Sequence, residues 1–202
     1  MKKLALVHTV PFLVGVFKGL LEKRYDGLES FHMLDESLLA DARRDGGMTP
    51  AIVRRMTGLC ALAQDAGAQA ILFTCSATSP GINPVRPLMD GPIIKIDDAM
   101  AALAVRSGAR IGLLCTNHAT EGPSTDILQE HAAIAGRTVE IDSVVENQAF
   151  AALHDGNQQG HDDALIKAAE SLASECDVVV LAQASMAHLA EGTFQESEDP
   201  GP

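Results

Sequence analysis

A pattern of apolar segments occurs twice in this chain of 202 residues. The first pair of matching segments covers residues 3–9 and 110–116, and the second pair covers residues 69–78 and 177–186. Each second segment is an apolar run with a polar residue at its tip, Cys75 in one copy and Gln183 in the other. Small and hydroxylated residues follow both tips. This repeat predicts two similar α/β halves that face each other, with a thiol on one side of the cleft and an amide on the other.

Strand patterns alternate with helix patterns along the whole repeat. The predicted strands are 4–7, 29–34, 70–74, 93–96, 111–114, 139–144 and 178–181, and the predicted helices are 12–23, 50–67, 97–108, 124–135 and 162–174. Short, wholly apolar strands separated by helices are typical of parallel sheets that are buried on both faces. We therefore predict an α/β fold of two pseudo-symmetric, flavodoxin-like halves, each a small parallel sheet flanked by helices. The halves are expected at 1–96 and 97–190, followed by an acidic tail at 191–202.

Composition excludes several classes of partner. The formal net charge of -12 argues against nucleic acid, which requires a basic face, and against an anionic membrane surface. No apolar run approaches the roughly 20 residues that cross a bilayer. Four cysteines without paired spacing fit a reducing compartment. We expect a soluble cytoplasmic protein.

Residues that follow predicted strands are candidates for a ligand site, because ligands of parallel α/β sheets bind beyond the carboxyl ends of the strands. The four strand-end segments 8–12, 74–79, 115–120 and 183–188 contain no Lys, Arg, Asp or Glu. They contain eight hydroxyl residues: Thr9, Thr74, Ser76, Thr78, Ser79, Thr116, Thr120 and Ser185. These segments therefore offer no carboxylate pair for acid–base catalysis and no carboxylate ligand for Mg²⁺ or Ca²⁺. They also offer no lysine that could carry pyridoxal phosphate. We expect no metal and no cofactor, and a small anion held by hydroxyls and backbone N–H groups beside one thiol.

Cys75 is the candidate reactive thiol. It sits between a strand and a predicted helix, where helical N–H groups can favour a thiolate, and hydroxylated residues surround it. Cys60 lies on the apolar face of a helix, and Cys115 is expected in the core. Cys176 precedes its strand and is interpreted as structural.

The duplicated halves, with Phe73-Thr-Cys75-Ser-Ala-Thr78 in one and Leu181-Ala-Gln183-Ala-Ser-Met186 in the other, resemble the aspartate/glutamate racemase superfamily. That group includes hydantoin racemases, maleate isomerases and arylmalonate decarboxylases. The segment from Ile111 to Thr116 also resembles a strand and anion-binding turn of the family. The resemblance spans roughly residues 3 to 190.

What the resemblance implies is cofactor-independent proton transfer at a carbon next to a carboxylate. Cys75 matches the first of two catalytic cysteines of the family, and Gln183 occupies the position of the second. The implied substrate-binding residues lie in the turns after the strands: Thr9, Ser76, Ala77, Thr116, Asn117, His118 and Ser185. The resemblance also implies a small carboxylate substrate and a homodimer. It predicts one more strand and a closing helix after the last predicted strand, where this chain has its acidic tail.

An amide cannot exchange protons at neutral pH, so Gln183 leaves several reactions open. A racemase-like enzyme would need a second acid or base, supplied by water, His118 or His188. A single-cysteine decarboxylase or cis-trans isomerase would use Cys75 alone. A non-catalytic binding protein for a small dicarboxylate would use the same residues without turnover.

Overall fold

The structure is a computed structural model in which residues 3–193 are described. The chain divides into two compact units, residues 1–99 and 100–202. Both are α/β units with a parallel sheet flanked by helices, as the sequence predicts.

The first unit contains a four-stranded parallel sheet. Its strands are β1 (Lys3–His8), β2 (Glu29–Leu34), β3 (Ala70–Phe73) and β4 (Ile93–Lys95), in the order β2-β1-β3-β4. The register of β1 with β3 ends at Val7 opposite Phe73. The edge position of β4 suits Pro92, which directly precedes the strand and has no N–H to donate.

Three α-helices and two short 3-10 helices complete the first unit: α1 (Phe12–Arg24), α2 (Glu36–Asp45), α3 (Pro50–Asp65), and the 3-10 helices Ser76–Ile82 and Arg86–Leu88. The Thr49 side chain caps α3 by accepting from the Ile52 N–H, and Pro50 takes the first helical position. The apolar face of α3 packs with the sheet residues in one buried cluster, which also contains Cys75. The end of β3 is therefore held by the core below it.

The second unit contains a three-stranded parallel sheet. Its elements are α4 (Asp98–Ser107), β5 (Arg110–Cys115), α5 (His118–Ile134), β6 (Glu140–Val145), α6 (Asn147–His154), α7 (Gln158–Ala173), β7 (Val178–Leu181), the 3-10 helix Ala184–Met186 and α8 (Ala187–Thr193). The strand order is β6-β5-β7. This order matches β2-β1-β3 of the first unit, so the repeat seen in the sequence is a repeat of topology. Among the described residues, β4 has no counterpart here.

Three predictions about elements are corrected by the structure. Helix α5 begins at His118 rather than at Ser124, because its buried face, with Thr120, Ser124 and Ile127, continues on both sides of Pro123. Residues 35–48, which lie outside the predicted strands and helices, contain α2, which Asp35 caps and Gly46 ends in a left-handed conformation. Residues 76–88, for which no helix was predicted either, are largely helical of the 3-10 type.

The structure also adds helices that the sequence pattern did not reveal. Helix α6, which was not predicted, is capped by the Glu146 side chain, and the predicted helix 162–174 begins earlier, as α7, at Gln158. Helix α8 includes residues 191–193 of the predicted tail, and residues 194–202 lie outside the described part of the chain. None of the described helices combines the length and apolar character needed to cross a membrane.

Candidate functional site

Cys75 lies at the carboxyl edge of the first sheet. It is two residues beyond the end of β3 and directly precedes the 3-10 helix Ser76–Ile82. Its side chain is buried but not sealed, with 8% of the residue exposed. The Cys75 carbonyl accepts hydrogen bonds from Thr78 Oγ1 at 3.3 Å and Ser79 Oγ at 3.1 Å. Two of the hydroxyls singled out in the sequence thus fix the backbone that carries the thiol.

A buried carboxylate braces the same turn. Ser76 Oγ donates to Asp97 Oδ1 at 2.8 Å, and Ser79 Oγ lies 3.4 Å from Asp97 Oδ2. Burial raises the pKa of Asp97, and the neighbouring Asp98 carboxylate adds to the rise, while the serine hydroxyls and Lys95 oppose it. Asp97 was not predicted as part of the site. Asp97 follows β4, so the strand-end rule would have found it had β4 been included among the strands that deliver site residues.

A chain of three polar side chains runs beside Cys75. Thr74 Oγ1 donates to the Val7 carbonyl at 3.1 Å and lies 2.8 Å from His8 Nδ1, and His8 Nε2 lies 2.8 Å from His32 Nδ1. Because the Thr74 proton points to the carbonyl, His8 Nδ1 carries a proton toward Thr74 and His8 Nε2 accepts from His32. Burial, with the charge of His32 as a smaller cause, lowers the pKa of His8 to about 4. Burial also lowers the pKa of His32, so both rings are neutral at pH 7 and act as hydrogen-bonding supports.

Thr9 supplies an unsatisfied donor at this edge. It follows β1, its residue is 2% exposed, and its Oγ1 has no hydrogen-bond partner in the described structure. A buried hydroxyl without a partner is uncommon, because it loses its bond to water without replacement. The Thr9 hydroxyl therefore has unused hydrogen-bonding capacity at the carboxyl edge of this sheet.

In the second unit, Gln183 and Thr116 form one compact arrangement. Gln183 lies two residues beyond β7, and Thr116 follows β5. The Thr116 N–H donates to Gln183 Oε1 at 2.6 Å, and Thr116 Oγ1 donates to the same oxygen at 2.8 Å. Both donors of Thr116 are thus used within the protein, and the Gln183 amide has a fixed orientation.

The remaining predicted site residues of the second unit lie at the same edge of its sheet. Asn117 directly precedes α5, and its Oδ1 accepts from Thr120 Oγ1 at 3.2 Å rather than from a backbone N–H of the helix. His118, at the start of α5, has a side chain that is 74% exposed and lies 3.2 Å from Glu121. Ser185 is half-buried in the 3-10 helix after β7. The structure leaves His118 at the surface of its unit, beside a carboxylate.

His188 belongs to a separate cluster around Asp162. His188 Nε2 lies 3.0 Å and His161 Nδ1 lies 2.7 Å from the same carboxylate oxygen, Asp162 Oδ1. Asp162 stands in the first turns of α7, which precedes β7, so this cluster is also at the carboxyl edge of the second sheet. Burial acts to raise the pKa of Asp162, but hydrogen bonds from His161, His188 and Gln158 and the charge of His188 together outweigh it, and the pKa is lowered.

The other three cysteines differ from Cys75 in their surroundings. Cys60 and Cys115 are fully buried, and burial raises the pKa of their thiols to about 11 and about 12. Cys176 is half-buried, and burial together with the Asp142 carboxylate raises its pKa. These environments agree with the structural roles predicted for them. Among residues 3–193, no group of three or more His, Cys, Asp or Glu side chains is arranged to hold a metal ion.

Fold and site together describe a duplicated parallel α/β protein with a cysteine after a central strand of one unit. Residues 33–200 match the family model described as Asp/Glu/Hydantoin racemase. The chain belongs to that family, which confirms the resemblance noted in its sequence. Membership indicates an enzyme of the racemase or isomerase kind. No curated protein matches the sequence.

Solved structures of racemases share the fold. An aspartate racemase from Picrophilus torridus is similar with a TM-score of 0.68 at 12% identity, over 94% of this chain and 84% of its own. An allantoin racemase from Klebsiella pneumoniae gives 0.63 at 15% identity, over 95% and 78%. A glutamate racemase from Aquifex pyrophilus gives 0.58 at 14% identity, over 96% and 84%. At these identities the likeness concerns the fold.

Proposed function

We propose that this protein is a cofactor-independent enzyme of the racemase or isomerase kind. It moves a proton at the carbon next to the carboxylate of a small amino or carboxylic acid. The Cys75 thiol is the acid/base group. The observation that carries the proposal is the placement of Cys75, slightly exposed at the carboxyl edge of a parallel sheet, in a turn held by hydroxyls and a buried carboxylate.

The proton transfer itself needs a thiolate. The Cys75 sulfur takes the proton from the α-carbon, an S–H bond forms, and the electron pair of the broken C–H bond passes into the carboxylate as an enediolate. The reverse step returns a proton to that carbon. General acid–base catalysis of this type contributes about 10²–10⁴-fold to a rate. The hydroxyl and N–H donors near Cys75 would stabilise the negative charge that develops on the carboxylate oxygens.

The substrate class follows from the donors available. Thr9, Ser76 and Ala77 lie in the turns after β1 and β3, and Thr9 has a buried hydroxyl in need of an acceptor. Such turns suit a carboxylate, which only accepts hydrogen bonds. Asn117, His118 and Ser185 are further proposed substrate-binding residues, on the basis of the family resemblance.

Gln183 favours a second candidate, a one-thiol enzyme. Its carboxamide oxygen is fully engaged by Thr116, and an amide neither gives nor takes a proton at neutral pH. With Cys75 as the sole acid/base, exchange or decarboxylation would occur on one face of the carbon, and the product would keep a single configuration. Cis-trans isomerisation through addition of the Cys75 sulfur is a third reaction of the same thiol.

The test is hydrogen exchange in D₂O. Enantiomers of aspartate, glutamate and hydantoins, together with 2-substituted malonates, are incubated with the protein, and the α-proton signal is followed by NMR while chirality is followed by chromatography. We expect α-deuteration that falls at least 100-fold in Cys75→Ala and in Cys75→Ser. Deuteration with inversion supports racemisation, and deuteration without inversion supports the one-thiol enzyme.

Cys176→Ser is the matched control, since it removes the other partly accessible thiol and should exchange substrate at the wild-type rate. Exchange that survives in Cys75→Ala contradicts the proposal. Saturable binding of the acids without any exchange, equal in wild type and Cys75→Ala, would instead identify a binding protein.

The proposal extends to location and assembly. All four cysteines are free thiols, which fits the reducing cytoplasm. The family resemblance suggests a homodimer, and sedimentation equilibrium would distinguish one chain of 21.3 kDa from two.

A further inference from the structure

Two residue positions that follow the strands of the first unit have counterparts in the second unit. In the first unit the Val7 carbonyl accepts from the Thr74 N–H at 3.0 Å, and in the second the Leu114 carbonyl accepts from the Ala182 N–H at 3.0 Å. Counting two residues from each carbonyl along its own strand leads to Thr9 and to Thr116. One residue beyond each N–H donor lies Cys75 in the first unit and Gln183 in the second. The pair Thr9 and Cys75 is therefore the counterpart of Thr116 and Gln183.

Only one of these two pairs is joined by hydrogen bonds in the described structure. Gln183 Oε1 receives both the N–H and the hydroxyl of Thr116, at 2.6 and 2.8 Å. Cys75 is shorter than Gln by the whole carboxamide, so the first unit has no oxygen of its own at the matching place. The Thr9 hydroxyl, 2% exposed at the level of the residue, correspondingly lacks a partner in the described structure.

We propose that the Gln183 carboxamide acts as a built-in ligand that permanently fills the anion site of the second unit. The matching site in the first unit, formed by the Thr9 hydroxyl and N–H beside Cys75, receives one carboxylate oxygen of the substrate. The protein therefore has one carboxylate site, although its fold repeats the site twice. This inference rests on the proposed function for the identity of the ligand and narrows the set of binding residues, because it removes the donors of Thr116 from those that contact substrate.

The chemistry of the two ligands supports the correspondence. An amide oxygen and a carboxylate oxygen are both sp² acceptors with two lone pairs, and each can take one backbone N–H and one hydroxyl at the same time. The two hydrogen bonds that Thr116 donates to Gln183 Oε1 therefore indicate how Thr9 would bind a carboxylate oxygen of the substrate in the first unit. A carboxylate bound to Thr9 would lie next to the Cys75 thiol, because Cys75 is the counterpart of Gln183, whose side chain supplies the bound oxygen in the second unit.

Acetate is a suitable probe, since it carries the carboxylate and nothing else. The full-length protein is titrated with sodium acetate at constant ionic strength, with sodium chloride as the control salt, and the amide signals of Thr9 and Thr116 are followed by NMR. We expect one saturable event in wild type, reported by the Thr9 amide and not by the Thr116 amide.

Reciprocal variants separate the two sites. Cys75→Gln should close the first site with its own carboxamide and weaken acetate binding at Thr9 at least tenfold, whereas Cys75→Ala should bind acetate within threefold of wild type. Gln183→Ala should open the second site, so that a second event appears at the Thr116 amide. Thr9→Val should weaken acetate binding at the first site at least tenfold. Thr9→Ser, which keeps the hydroxyl, should bind acetate there as wild type does.

The inference is wrong if the Thr116 amide responds to acetate in wild type, if the Thr9 amide does not respond, or if Cys75→Gln binds acetate as wild type does. Its failure is distinct from failure of the proposed function. Acetate bound at Thr9 without any α-proton exchange rejects the enzyme and keeps the site. Exchange that depends on Cys75, without an acetate response at Thr9, rejects the site and keeps the enzyme.

Discussion

Asp97 Oδ1 accepts a hydrogen bond from Ser76 Oγ at 2.8 Å, and this contact ties the end of β4 to the turn that carries Cys75. Asp98, the next residue, accepts from the Lys95 N–H at 2.7 Å and from Arg86 at 2.6 Å. Two consecutive carboxylates thus hold two different segments: one the turn of the candidate thiol, the other the end of its own strand.

Replacement of Asp97 tests the bracing of the Cys75 turn. In Asp97→Ala the Ser76 hydroxyl loses its acceptor and the Ser79 hydroxyl loses one of two, which we expect to lower the free energy of unfolding by about 1–3 kcal/mol. Turnover should fall more than substrate affinity, because the thiol is displaced while the Thr9 donor remains. Urea unfolding and the kcat and KM values of the same preparation check this. Asp98→Asn is the control, and an equal effect on turnover there would contradict a specific role of Asp97.

Asp97 also predicts a pH dependence of stability. Burial raises its pKa in the folded state above the value in the unfolded chain. The folded protein therefore binds a proton more readily, so this residue favours folding at low pH, and that contribution is lost as the pH rises through the folded pKa. The stability of wild type relative to Asp97→Asn should fall between pH 4 and neutral pH in urea unfolding. A difference that stays constant with pH would show that the carboxyl titrates as it does in water.

The lowered pKa of His8 predicts the opposite change of stability with pH. Its folded pKa of about 4 lies below the ordinary value of 6.5, so the unfolded chain binds more protons between these values. The stabilisation is complete above pH 6.5 and is lost as the pH falls toward 4, by roughly 2–3 kcal/mol. His8→Asn keeps an N–H group that can reach Thr74 but cannot titrate. Urea unfolding at pH 7.5 and pH 4.5 should show a smaller loss in this variant than in wild type. The same loss in both proteins would assign the effect to other groups.

Alkylation should distinguish the four cysteines. The thiolate is the nucleophile, and burial that raises the pKa of Cys60 and Cys115 to about 11 and about 12 makes them inert at pH 8. In the folded protein iodoacetamide should label Cys75 and, more slowly, Cys176, as read by peptide mass spectrometry. Exchange activity should decline in step with labelling of Cys75. In Cys176→Ser the decline should be unchanged, and activity that survives full labelling of Cys75 would rule out its proposed role.

Gly108 tests the packing at the start of the second sheet. A Cβ there would lie 2.2 Å from Asp177 Cβ, and Asp177 Oδ2 accepts the N–H groups of Ala109 and Arg110 at 2.8 Å. Gly108→Ala should therefore displace Asp177 and cost about 1–3 kcal/mol in thermal or urea unfolding. A Cβ added at Gly58, in α3, would meet nothing within 4 Å. Gly58→Ala should instead raise stability by about 0.5–1 kcal/mol.

The strands were predictable because their apolar runs are short and clear. Residues 70–74 were predicted as a strand, and β3 covers Ala70–Phe73. Helices α2 and α6 were not predicted, since charged residues dominate α2 and α6 is only two turns long. Their stability depends on capping by Asp35 and Glu146 and on contacts with the sheet, which a single sequence window does not reveal.

The site was predictable where it follows the repeat. Cys75 and Gln183 were found from the pattern, and the structure gives them equivalent places after β3 and β7. The contacts of Asp97 and of the Thr74–His8–His32 chain form only because particular strands are neighbours in the sheet. The order of strands in a sheet cannot be predicted from any short segment of the sequence. The hydrogen bonds between Thr116 and Gln183 likewise could not be predicted from the sequence, because two residues 67 positions apart meet only in the folded sheet.

The fourth strand gives the two units different backbone support. Strand β3 is bonded on both sides, for the Phe73 carbonyl accepts from the Ile96 N–H at 2.9 Å while the Thr74 N–H donates to Val7 at 3.0 Å. Among residues 3–193, β7 is bonded to β5 alone. Amide hydrogens near Cys75 should consequently exchange with solvent more slowly than those near Gln183, since opening the thiol-bearing strand breaks two ladders. The unit that carries Cys75 is therefore expected to open locally less often than the unit that carries Gln183.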